Sequence, residues 1–260
     1  MSSIKQVYGV LWVIGLFSFS HISLVAQEVK IAHASSLIPV IELLTEEMRD
    51  KYGISIVSIP GPSGSLTNQL LNGAPYDIFI SASPEFCKRL DESGISTNSE
   101  YNVFSGGLAI WSSVQLSNKT NGLVISLKEQ IEAETIETLA VASPDIAPYG
   151  AQAIRWINAN VPLAESNTKL IYGESISIIN QYISTASVEM AITSESSRIA
   201  LGDSLEGWWY SLPEKQDYWV NHCLSRISKN EKGRETVLFI LSEEFLEQTT
   251  TLGYSRHFTE

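Results

Sequence analysis

The sequence predicts an α/β fold of mostly parallel sheets. Two observations carry this. Short apolar strand patterns alternate with helical patterns along most of the chain, and small hydroxyl residues recur where a strand gives way to a helix. Repeated strand–helix–strand order lays parallel strands side by side with helices on the faces. Ligands of such sheets sit beyond the carboxyl ends of the strands.

The first strand is VKIAH (29–33). LIPVIELLTEEMRDKYG (37–53) follows as a helix: Leu37, Val40, Ile41, Leu44 and Met48 fall on one face, and Gly53 supplies the stop. ISIVSI (54–59) is a strand, Ser65 to Asn72 a short helix closed by Gly73, and YDIFISA (76–82) a strand. Helix PEFCKRLDESG (84–94) carries proline in its first turn, where a missing N–H leaves no bond unmade. Strands GLAIW (107–111) and LAVAS (139–143) precede helix GAQAIRWINAN (150–160). Strand KLIY (169–172), helix SISIINQYIS (175–184) and strand VEMAIT (188–193) continue the alternation. A strand near DYWVNHC (217–223) and one long helix over 231–253 complete it.

The bulk composition narrows the function. The 260 residues suffice for one large domain or two small ones with a hydrophobic core. With 17 Lys+Arg against 29 Asp+Glu, a formal charge of −12, the chain lacks the basic patches that phosphate backbones require. The first 26 residues read as a secretory signal: Lys5 is the only charged side chain before Glu28, and VYGVLWVIGLF (7–17) is apolar. Ser18, Ser20 and His21 break that run short of the roughly 20 residues a membrane span needs, and Ala26 is a plausible cleavage point. The mature protein is therefore expected to be soluble and exported, most simply to a periplasm.

Cys87 and Cys223 read as two buried thiols acting as small hydrophobes, with pairing open to them in an oxidising compartment. His21, His33, His222 and His257 show no ligand spacing, so neither a metal site nor a cofactor is implied. Trp208 and Trp209, in EGWWYSLP, read as core packing, the other reading being a partner patch.

The chemistry lies at the strand–helix junctions. Ser35 and Ser36, Ser63 and Ser65, PDIAPYG (144–150), Ser175 and Ser194 all stand there. Each serine alone reads as a helix cap. Several helix N-termini converging make an anion site without Lys or Arg, through their free N–H groups and positive dipole ends. A dianion without a proton offers only acceptors, so a cage of hydroxyls and amides suits it. Phosphate keeps a proton near neutral pH and would favour an acceptor carboxylate. Asp145 and Glu174 are near in sequence but read as solvated acids. Ser63 as a hydrolase nucleophile finds little support: GPSGS lacks the G-x-S-x-G order, and no histidine has an evident base role. No enzyme is expected.

The segments AHASSLIPVIELL, GPSGSLTNQLLNGAPYDIFISAS, LAVASPDIAPYGAQAI and VEMAITSESS, in this order, resemble periplasmic molybdate-binding proteins of ABC transporters. The C-terminal YWVNHCLSRISKNEKGRETVLFILSEEFLEQTTTLGY is similar to their closing strand and helix. The resemblance covers nearly all of the mature chain, and Gly61 to Ser83 is its most specific part. It implies a two-lobed periplasmic binding protein, with lobe I over 27–107 and 219–260, lobe II over 108–218, and crossing strands between them. It implies one tetrahedral oxyanion in the cleft, molybdate and also tungstate, with sulfate or phosphate as alternatives. Molybdenum would enter only as that oxyanion, without direct protein ligands. The implied binding residues are Ser36 and Ser63 through their hydroxyls, 27 residues apart, and Tyr149 and Ile176 through their amides. Ser194 stands where the family often has a tyrosine that reaches the ligand, and Tyr149 stands for a small residue. A monomer that delivers its ligand to an inner-membrane ABC permease is the implied assembly.

Overall fold

The computed structural model describes residues 28–117, 122–161, 163, 166–212 and 218–255. The expected signal segment, with cleavage near Ala26, lies outside the described residues. Strand β1 (Glu28–Ala34) leads through a 3-10 turn (Ser35–Leu37) into α1 (Ile38–Tyr52). Then come β2 (Ser55–Gly61), α2 (Ser63–Leu71), β3 (Ile78–Ser81), α3 (Pro84–Glu92) and β4 (Asn98–Gly106). The chain passes directly into β5 (Leu108–Ser112), followed by α4 (Gly122–Glu132), β6 (Thr138–Ala142), α5 (Pro148–Asn160) and β7 (Lys169–Gly173). Next are α6 (Ile176–Ser184), β8 (Met190–Ser194), α7 (Glu195–Leu201) and β9 (Trp208–Ser211). It ends with β10 (Val220–Arg226), α8 (Glu231–Ile240), α9 (Glu243–Thr250) and β11 (Tyr254–Ser255).

Among the described residues these strands form two sheets, ordered β11-β4-β10-β3-β1-β2 and β7-β6-β8-β5-β9. In the first, β1 lies parallel between β2 and β3, with Ile31 level with Ser58 and Ile78. In the second, β6 lies parallel between β7 and β8. These centres are the βαβ units that the alternation predicts. The sheets as wholes are mixed, because β10 pairs antiparallel with both β3 and β4, and β5 pairs antiparallel with both β8 and β9. The chain leaves the first sheet at Gly106 and returns to it at Val220.

Helix α1 shows how local rules place the elements. Val40, Ile41, Leu44 and Met48 are buried at helical spacing, Pro39 sits in the first turn, and Gly53 ends the helix at φ 62°. That left-handed conformation is one glycine reaches without strain.

Several segments differ from the expectation. Strand β4 goes unpredicted because NSEYNVFSG is polar over its first half, and only its last four residues are buried. The expected long terminal helix is two, α8 and α9. Ser242 breaks it with extended backbone and caps α9, its Oγ accepting from Phe245 N. Cys87 and Cys223 are not separate thiols: they form a disulfide that ties α3 to β10. Trp208 is not core either, being exposed on β9 at the sheet edge, whereas Trp209 packs partly against the core.

Candidate functional site

Four strand–helix junctions converge between the two sheets. Ser36 follows β1 in the 3-10 turn and is buried, and its Oγ finds no hydrogen-bond partner among the described residues. Ser63 is the first residue of α2, and its Oγ accepts from Ala82 N at 3.1 Å. An accepting hydroxyl keeps its own proton to give, so both serines can donate into the space before them.

The other two junctions come from the second sheet. Tyr149 is the second residue of α5, after Pro148, and Ile176 is the first of α6. Both amides belong to first helical turns, where no carbonyl four residues back accepts them. Gly150 sets the first of these: a Cβ there would meet the Ala142 carbonyl oxygen at 2.1 Å, so α5 begins in direct contact with the end of β6. Ser175 caps α6, its Oγ accepting from Ile178 N at 3.4 Å.

These junctions enclose one cavity. Ser35, Ser36 and Ser63 line it from one side, and Pro148, Tyr149, Ser175 and Ile176 from the other. Among the described residues no charged side chain lines it. Asp145 and Glu174 are exposed away from it, as solvated acids. The volume is about 10 Å³, the room of roughly one water. A four-oxygen anion is larger than one water and needs the walls to part slightly. The walls meet across the sheets, where Gly64 N donates to Ile146 O at 3.0 Å.

Ser194 stands elsewhere. It is fully buried, does not line the cavity, and spends its hydroxyl on Ser196 Oγ (2.9 Å) and Ser197 Oγ (2.7 Å) while capping α7. The structure therefore brings Ser36, Ser63, Tyr149 and Ile176 together and leaves Ser194 one layer behind them.

Behind Ser36 lies a buried aromatic floor. The Tyr149 ring lies 6.0 Å from His222, and His222 is flanked by Phe104 and Tyr254 at 5.0 and 5.4 Å. The Tyr149 hydroxyl packs over Gly106, where a Cβ would meet it at 2.1 Å. It sits beside Ser36 and Tyr254 without hydrogen-bond geometry to either. Burial pushes the Tyr149 hydroxyl well above its ordinary pKa and Tyr254 up to about 12, so both remain protonated. Burial also lowers His222 to about 3 and His33 to about 4, so neither adds positive charge at neutral pH. Among the described residues no cluster of metal-ligating side chains occurs, and no helix is long and apolar enough to cross a membrane.

Sequence reasoning missed Ser196 and Tyr254. Tyr254 Oη donates to Ser36 O at 2.6 Å, and Ser196 Oγ donates to the same carbonyl at 3.0 Å. Only the run of serines in TSESS hinted at the second of these.

A two-sheet molecule with a small, uncharged cavity between helix N-termini is built to hold a solute. Residues 29–244 match the bacterial extracellular solute-binding protein family, and the chain belongs to that family. Its members bind solutes and are not enzymes. The molybdate-binding protein ModA of Azotobacter vinelandii is 26% identical over 190 residues, 72% of this chain and 73% of that protein. The solved periplasmic molybdate-binding protein of the same organism superposes with a TM-score of 0.75 at 18% identity, covering 88% of this chain and all of the other. A solved structure of the tungstate ABC transporter from Geobacter sulfurreducens gives a TM-score of 0.63 at 10% identity, covering 85% of this chain and 96% of its own. Those two structures establish a shared fold.

Proposed function

We propose that the chain captures a tetrahedral oxyanion, molybdate and also tungstate, and hands it to an inner-membrane ABC permease from the periplasm. The observation that carries this reading is the cavity between Ser36, Ser63, Tyr149 and Ile176: small, without charged lining, and faced by hydroxyls with protons to give. Hydrogen bonds to an ionised acceptor are shorter and roughly twice as strong as neutral pairs. Such a cage binds a proton-free dianion without lysine or arginine, and it offers a protonated anion no carboxylate acceptor. The molybdate-binding relatives support the choice among dianions.

In this reading residues 27–107 with 219–260 form one lobe, 108–218 the other, and each contributes two of the four junctions. The chain works as a monomer, and its leader is removed near Ala26. A thermal-shift panel tests the ligand. A ligand at 100 times its Kd adds about 2.7 kcal/mol, and about 5–10 °C in Tm at this chain length. Molybdate and tungstate should give that rise and phosphate none. No rise with either metal oxyanion at millimolar concentration refutes the reading.

A further inference from the structure

The carbonyl of Ser36 is held from two directions by groups that no proposed ligand contact uses. Tyr254 Oη, from the last described strand, donates to it at 2.6 Å, and Ser196 Oγ, from α7 of the other sheet, donates at 3.0 Å. The two grips also touch each other, with Tyr254 Oη 3.2 Å from Ser196 Oγ. Ser194 backs the second, its Oγ 2.9 Å from Ser196 Oγ. All four residues are buried. The proton count closes: Tyr254 and Ser196 each give one proton to the Ser36 carbonyl, and Ser196 accepts the Ser194 hydroxyl.

We propose that Ser196 and Tyr254 are positioning residues for the oxyanion site: they clasp the Ser36 backbone across the two sheets, which fixes the Ser36 hydroxyl toward the cavity and holds the lobes closed. The inference rests on the reading of that cavity as an oxyanion site. The clasp acts on a backbone carbonyl, so the Ser36 side chain stays free for a ligand. It also gives Ser194 a role without ligand contact: it buttresses Ser196. The Ser196–Ser36 bond joins the two halves of the proposed division, so in this proposal it is strained or lost as they part. Losing it should speed opening, and with it ligand release, while leaving capture unchanged.

The test is a double-mutant cycle on the mature chain with Tyr254→Phe, Ser196→Ala and both together, and Ser196→Thr as the conservative variant. The probe is molybdate, with association and dissociation followed by tryptophan fluorescence. A neutral hydrogen bond lost from the closed form is worth roughly a 3- to 10-fold change. Each single variant should release molybdate that much faster with an unchanged association rate, and Ser196→Thr should release it at the wild-type rate. The double variant should fall short of the product of the singles, since both act on one carbonyl. Wild-type release by both single variants overturns the clasp. If the wild-type chain takes up no molybdate, the oxyanion reading fails by itself, and thermal unfolding of the ligand-free cycle decides the clasp. Non-additive losses in Tm uphold it there, and additive or absent losses overturn it.

Discussion

A serine hydroxyl has one proton to give, and its destination separates Ser36 and Ser63 from Ser194. Ser63 accepts from Ala82 N and keeps its proton, Ser36 finds no partner among the described residues, and Ser194 gives its proton to Ser196 while accepting from Ser197 N. The buried histidines follow similar bookkeeping against pH. His33 and His222 titrate near 4 and 3 in the folded chain, because burial penalises the charged ring, against about 6.5 in the unfolded chain. Above pH 6.5 both forms are neutral and nothing depends on pH. As pH falls below 6.5 the unfolded rings take protons and the folded ones do not, so stability is lost on acidification. The loss is on the order of 2 kcal/mol per histidine at pH 5. The urea midpoint should therefore drop between pH 7 and pH 5, and drop less in His222→Asn. A midpoint flat over that range contradicts the assignment. At this scale the sequence shows which junctions carry serines. It does not show where their protons go, because Ala82 lies 19 residues from Ser63 and its N–H direction is set by β3.

Elements are legible where apolar residues keep a helical spacing or run on as a short unbroken strand. Helix α1 reads directly from its spacing, whereas β4 does not, because its buried residues are confined to its last four positions, ending at Gly106. The break between α8 and α9 carries a cap signal, Ser242 before two glutamates, that the continuous helical pattern overrides. Pairing of Cys87 with Cys223 is invisible in sequence because 136 residues separate them, and only the packing of α3 on β10 brings them together. A cross-link closing so long a loop restricts the unfolded chain strongly, by about 2–5 kcal/mol. The Cys87→Ala, Cys223→Ala double variant should then melt roughly 5–15 °C below the oxidised wild type. An equal Tm for the two would show that the bond adds no stability.

For the whole molecule, the chain crosses between the sheets at Gly107 and returns ahead of Val220, and hydrogen bonds also join the two sides beside the cavity. Gly64 N donates to Ile146 O there, and Ser196 donates to the Ser36 carbonyl one layer behind. The cavity of about 10 Å³ is smaller than a four-oxygen anion, and the proposed two-lobe reading meets this by opening and closing about the crossings at Gly106 and Val220. Small-angle scattering should record a smaller radius of gyration with saturating molybdate than without. An unchanged profile at proven saturation counts against hinge closure and leaves binding intact. Convergence of the four junctions is the feature the sequence could not show, since it depends on how the second sheet turns toward the first.

The central claim is that side-chain hydroxyls and helix-start amides make the site. Calorimetric titration of molybdate into wild type, Ser36→Ala, Ser63→Ala and Tyr149→Pro tests it most directly. Hydrogen bonds to charged groups are worth about 1.5–3 kcal/mol, so each serine variant should bind roughly ten- to a hundredfold more weakly. Tyr149→Pro, once circular dichroism shows it folded, should bind more weakly still, because proline lacks the N–H. Wild-type affinity in both Ser36→Ala and Ser63→Ala would contradict the account and reduce those serines to helix caps.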